Sequence, residues 1–171
     1  MDDSLGAMLF AEDLMKYIFD QCDLVYVPRA SCEIGKFREH IGASPFRVII
    51  GNAVCARIEE DLDKFSAIFQ QEFKSLEDAP SFTRYVMKIA PEWFPEGYNP
   101  TSFIEFCVFV SSISLSYYEA GCHHISSFAS EVIAAVLTGH IVSEDFNKAG
   151  GWAELVRVST LINNSAKTKY L

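Results

Sequence analysis

With half of its 171 residues hydrophobic and 13% aromatic, the chain is too apolar for disorder. It is long enough to bury roughly two-thirds of its unfolded surface around one core, so a single domain over residues 1–171 is expected. A net charge of -9 and a pI near 4.8 argue against a phosphate backbone as the main partner; no nucleic acid is expected, and basic or amphipathic cationic ligands suit the chain better.

Along the chain, Ser4 is placed to cap a first helix over Leu5–Cys22, in which Met8, Leu9, Met15, Ile18 and Phe19 recur at near-helical spacing among acids. Residues 23–42 mix Pro28, Gly35 and isolated charges and read as a loop with a short helix around Cys32–Ile41. Ser44-Pro45 then opens an amphipathic stretch over Phe46–Phe73, long enough for two helices. Its apolar stripe runs through Ile50, Val54, Ile58, Leu62, Phe65 and Phe69 in steps of three and four. The run Glu59, Glu60, Asp61 and Asp63 within it reads as a solvated helix face. Asp78 to Ser81 is a turn with capping residues before a helix over Ser81–Ala90, which Pro91 and Pro95 end.

Thr101–Tyr118 carries apolar side chains on every helical face and a single charge, Glu105, so it must be buried. Its serines and the flanking Pro100 and Gly121 make it less continuously apolar than a membrane span of ~20 residues, and it exceeds the ~4–8 residues of a buried strand. Glu105 fits either the base of a surface groove or a satisfied buried acid. A second apolar helix over His123–Val142 follows, then a segment with a capping serine and two glycines, and a last helix over Ala153–Ile162. The expected fold class is all-α, with seven or eight helices, and no integral membrane segment.

Five cysteines, Cys22, Cys32, Cys55, Cys107 and Cys122, lack Cys-x-x-Cys spacing, which fits a reduced cytoplasmic protein with buried thiols. No basic stretch followed by an apolar run opens the chain and its last residues are polar, so neither a signal peptide nor a terminal anchor is expected. Cys122-His123-His124 lacks i, i+4 ligand spacing, and no phosphate loop or nucleophile elbow is present; no cofactor, metal or enzymatic activity is expected.

Three stretches carry a family resemblance. Glu92-Trp-Phe-Pro-Glu-Gly-Tyr-Asn-Pro-Thr-Ser-Phe-Ile104 resembles the first homology motif of the Bcl-2 family, Glu-Leu-Phe-x-Asp-Gly-x-Asn-Trp-Gly-Arg-Ile-Val. Ala149-Gly-Gly-Trp-Ala-Glu-Leu-Val156 resembles the second, Asn-Gly-Gly-Trp-x-x-Phe-Val, in the right order and at a fitting separation. Gly51-Asn-Ala-Val-Cys-Ala-Arg-Ile58 resembles part of the third, Gly-Asp-x-Phe-x-x-Arg-Tyr. A lone Gly-Gly-Trp would read as a helix-helix turn with an aromatic plug; the joint order of the three favours the family, and the likeness spans Ile50 to Leu161.

The resemblance implies a helical bundle around a buried central hairpin, about 100–118 and 123–141, with a surface groove that binds the amphipathic BH-3 helix of a pro-apoptotic partner. Carried over residue by residue, the groove would be walled by Val54, Arg57, Ile58, Leu62 and Phe65, by Ile89, Glu92 and Trp93, and by Asn99, Ser102, Phe103, Ile104 and Phe109. The implied role is pro-survival regulation of apoptosis, in the cytoplasm or at the mitochondrial surface through partners, in the manner of the short members that viruses encode. Self-association as a homodimer on the same fold is the alternative.

The departures bear on that role. Where the family has Trp-Gly-Arg this chain has Pro100-Thr101-Ser102, so the arginine that clamps the partner's aspartate is missing. A charge-assisted hydrogen bond contributes roughly 1.5–3 kcal/mol, so binding would be about ten- to hundredfold weaker unless another cation, Arg57 or Lys88, substitutes.

Overall fold

The computed structural model describes residues 3–27 and 43–169. They form eight α-helices and no strand: α1 Asp3–Gln21, α2 Val48–Glu60, α3 Leu62–Ile68, α4 Ala79–Ile89, α5 Pro100–Glu119, α6 Ser126–Val142, α7 Asp145–Lys148 and α8 Gly151–Lys169. A π-helical turn, Phe69–Phe73, extends α3, and 3₁₀ turns Ala90–Trp93 and His123–Ile125 follow α4 and precede α6. The short helix expected around Cys32–Ile41 lies outside the described residues.

α5 is the axis. Pro100 occupies its first turn, where a missing N–H costs nothing, and the Asn99 side chain accepts from the Ser102 N–H at 3.1 Å. Every residue from Phe106 to Ser114 is buried, so the helix has no solvent face over that length. It ends where Gly121 takes φ +91°, a left-handed conformation that glycine adopts without steric cost. α6 doubles back to complete a hairpin. The His123–Val142 stretch is long and apolar enough to cross a membrane by length and composition, but 61% of that window is buried among the other helices.

α1 packs along α6 and buries Phe10, Leu14, Met15, Ile18 and Phe19. One polar cluster interrupts this seam: Ser130 Oγ lies 2.9 Å from Glu12 Oε1, and the Tyr26 hydroxyl donates to Ser130 Oγ at 2.9 Å. Burial next to Glu12 raises the Tyr26 pKa far above its ordinary value. α2 meets α1 closely at Gly51, where an added Cβ would collide with the Tyr17 ring. On its other side it meets α8, where Asn163 Nδ2 donates to the Ile49 carbonyl at 2.9 Å. Gly150 (φ +100°) and Gly151 (φ +59°) turn α7 into α8 and aim Trp152 between Phe10 and Phe146, at centroid distances of 5.1 and 5.0 Å. That is the aromatic plug a plain reading of Gly-Gly-Trp describes.

Several boundaries differ from the sequence expectation. α1 begins at Asp3, so Ser4 sits inside its first turn. α2 begins at Val48 without a side-chain cap, and Ser44 instead accepts the Phe46 N–H at 3.2 Å in the preceding turn. The 46–73 stretch does divide into two helices, as its length allows, and it does so at Asp61 (φ -117°, ψ 24°), inside the run of acids whose mutual repulsion disfavours a continuous helix. α8 runs to Lys169 rather than ending at Ile162, with Asn163 tied to α2.

Candidate functional site

A groove of about 360 Å³ opens between α3 with its π turn and α4, over the N-terminal half of α5. Periodicity builds it from three stripes. Phe65, Ile68 and Glu72 share one face of α3 and the π turn; Tyr85, Ile89 and Glu92 share one face of α4 and the turn after it; Glu105 and Phe109 are one turn apart on α5. Asp61, Lys64 and Trp93 complete the lining.

The apolar floor is aromatic. Trp93 tilts over Phe109 at 4.7 Å and meets Phe106 edge-on at 5.6 Å, and Phe65 lies 6.5 Å from Phe109. Such offset and edge-to-face pairs hold the rings beyond what area burial alone supplies. Phe69 and Phe73, four residues apart in the π turn, are both buried. The Tyr117 hydroxyl lies 2.8 Å from both the Phe73 and Leu76 carbonyls and can donate to either at that helix end.

The rim is charged and mostly acidic. Glu72 accepts the Tyr85 hydroxyl at 3.0 Å, which spans the two walls at one end. The Tyr85 pKa is raised, by desolvation first and by that carboxylate second. At the other end Arg57 Nη1 donates to Glu60 at 3.2 Å, while its Nε stands 3.6 Å from Glu105, an ion pair too long for a hydrogen bond. That Nε is buried without a hydrogen-bond partner. Lys64 Nζ lies 5.9 Å from the Phe65 ring centroid.

Of the residues expected in the wall, Phe65, Ile89, Glu92, Trp93 and Phe109 line this groove, and Arg57 stands beside it through Glu105. Val54, Ile58 and Ile104 are buried and Phe103 fully so, packed against Phe10 and Tyr98 at 6.1 Å each; they belong to the core and present no wall. Leu62 is 56% exposed and outside the lining, because the break at Asp61 interrupts the stripe one residue before it. Asn99 is the cap of α5, and Ser102, half-buried, gives its N–H to that cap. Lys88 is exposed and outside the lining.

Lys64, Ile68, Glu72 and Tyr85 line the groove without having been singled out in the sequence, and Asp61, expected on a solvated helix face, lines it too. Continuing the stripe from Phe65 by three and seven residues reaches Ile68 and Glu72, and stepping back by four from Ile89 reaches Tyr85, so the signal was present. Glu105 falls to the groove reading rather than to that of a buried acid.

Among the described residues no group of three His, Cys, Asp or Glu side chains could hold a metal ion. His123 stacks on Tyr118 at 3.9 Å, and Cys22, Cys55, Cys107 and Cys122 are free. A second recess of about 350 Å³ lies between α2 and α8, lined by Asn52, Asn163 and Asn164 among others, and contains none of the expected residues. What the first groove offers is an aromatic floor with charged edges between two helices, a combination that can receive one face of an amphipathic helix. No family model, no curated protein and no solved structure matches the chain.

Proposed function

We propose that the chain is a Bcl-2-like regulator of apoptosis that sequesters amphipathic BH-3 helices in the α3–α4 groove, with a pro-survival outcome. The observation that supports this reading most is the groove floor. Trp93 comes from the stretch resembling the family's first motif, and it lies on Phe109 of the helix that this stretch opens, within a cleft walled by two other helices. The all-helical bundle with α5 and α6 at its centre is compatible with it.

Titration of a panel of BH-3 peptides by calorimetry tests the proposal. Ile89→Glu and Trp93→Ala should each lower affinity by at least about 2 kcal/mol, the scale of an interfacial hot spot, with the helical circular dichroism signal retained. An absence of binding by every peptide, or unchanged affinity in both variants, removes the assignment.

A further inference from the structure

The charge around the groove carries a second step, which rests on the groove being a helix-binding site. Four carboxylates, Asp61, Glu72, Glu92 and Glu105, line it against one ammonium, Lys64. The nearest guanidinium, Arg57, is already neutralised: it bonds Glu60 at 3.2 Å and pairs with Glu105 at 3.6 Å. Ser102, where the resembled motif has its cation, is committed through its N–H to the Asn99 cap and brings no charge.

We infer that the groove selects helices with basic flanks: an apolar stripe seated on Trp93 and Phe109, edged by lysine or arginine rather than by acid. The acids occupy both walls and the floor, with Asp61 and Glu72 on the α3 side, Glu92 after α4 and Glu105 on α5. A bound helix therefore meets negative charge along both of its edges. The polar bonds already present constrain which acids take part. Glu72 holds the Tyr85 hydroxyl and Glu105 holds Arg57, so Asp61 and Glu92, which have no ion pair among the described residues, are the two that meet the ligand's cations first. A ligand acid in the same register would face these carboxylates with Arg57 unable to turn to it without leaving both of its partners. The chain's net charge of -9 adds long-range attraction of the same sign and raises the association rate of a basic helix.

The test uses the full chain and two synthetic peptides of about 20 residues with one shared apolar stripe at helical spacing, differing only in lysine or glutamate at the flanking positions. Calorimetry in roughly 0.05 M salt should show the lysine peptide binding about tenfold tighter, an advantage falling below about threefold near 0.5 M as screening shortens the range of the field. The double variant Asp61→Asn, Glu92→Gln should lose most of that preference, whereas Trp93→Ala should weaken both peptides.

Equal affinities, or a tighter glutamate peptide, would overturn the charge selection and leave helix binding in place. A lysine preference that survives at full strength in the Asp61→Asn, Glu92→Gln variant would place the attraction outside the groove and overturn it too. Failure of both peptides to bind would overturn the groove assignment together with this inference.

Discussion

The α1–α6 seam and the α3–α4 wall both pack on α5, yet they are built to different standards. In the seam, α1 keeps Ala7, Leu9, Phe10, Ala11, Leu14 and Met15 fully out of solvent, and even its acid, Glu12, is 9% exposed and tied to Ser130. In the wall, α3 is seven residues long, contributes Phe65 as its buried side chain, and leaves Leu62 more than half exposed. The wall is held by contacts of aromatic rings, Phe65 tilted against Phe109 and Phe69 edge-on to Tyr117, and by single bonds such as Tyr117 to the Phe73 and Leu76 carbonyls. Sparse burial is what allows a wall to move aside for a ligand, and elements that move are drawn from the least stable part of a fold. The seam is the tightly packed base of the bundle and α3 its more lightly buried wall.

The sharpest way to break this contrast is to damage the base. Phe10 is fully buried and touches Phe46, Phe103 and Trp152, so it joins α1 to α5 and α8. Phe10→Ala should cost about 3–5 kcal/mol in urea unfolding, as for other large core aromatics. The loss should appear equally in every probe, because the seam unfolds with the whole protein. A loss below about 1 kcal/mol would mean that the base is no better packed than the wall.

Damage to the wall should be smaller and local. Tyr117→Phe keeps the ring against Phe69, Phe73 and Phe82 but removes the hydroxyl that serves the Phe73 and Leu76 carbonyls. The Phe73 carbonyl keeps the Leu76 N–H at 2.8 Å, so the loss is that of one hydrogen bond to the part-buried Leu76 carbonyl, about 1 kcal/mol. Hydrogen exchange should accelerate in the π turn and the residues after it, with α1 and α6 unchanged. Uniform acceleration across all helices would show that wall and base open as one unit.

The same contrast governs what the sequence disclosed. α5 was legible because an unbroken apolar run with Asn99-Pro100 at its head and Gly121 at its end satisfies composition, cap and breaker together. The hairpin partner α6 followed for the same reason. The wall was only half legible. Ile89, Trp93 and Phe65 fall where their stripes place them, but Val54, Ile58 and Phe103, from the same stripes, turn into the core. Periodicity identifies an apolar face without saying how much of that face a neighbouring helix covers, and α8 and α5, with α1, cover most of α2. Of the acids on the rim, Asp61 was read as part of a solvated helix face, Glu92 as groove wall and Glu105 as either groove base or buried acid. What one helix face shares with another across a cleft, as Glu72 does with Tyr85, has no signature in local spacing.

The smallest expected effect lies at His140, where the last turn of α6 meets the loop that carries Trp93. Its ring packs 4.5 Å from Phe94 and 5.3 Å from Tyr98, and Asp145 is the charged group that faces it. Desolvation lowers its pKa below the ordinary 6.5, and Asp145 opposes that shift without cancelling it. A group whose folded pKa is depressed favours the folded state when neutral. Its contribution is therefore complete above pH 6.5 and is lost as pH falls through that value toward the lower folded pKa. Below both values the unfolded and folded chains bind the proton alike and the slope vanishes. His140→Phe keeps an aromatic ring between Phe94 and Tyr98 and removes the titration, so the stability difference between the two proteins should be constant above pH 6.5 and change in the variant's favour on acidification. Because the loop under this ring is the one that positions Trp93, acid should also loosen the groove end nearest α6 before it loosens the α1–α6 seam. Urea midpoints measured across that pH range for both proteins decide the matter: parallel curves would mean that His140 is solvated in the folded state and that the aromatic pair does not shield it.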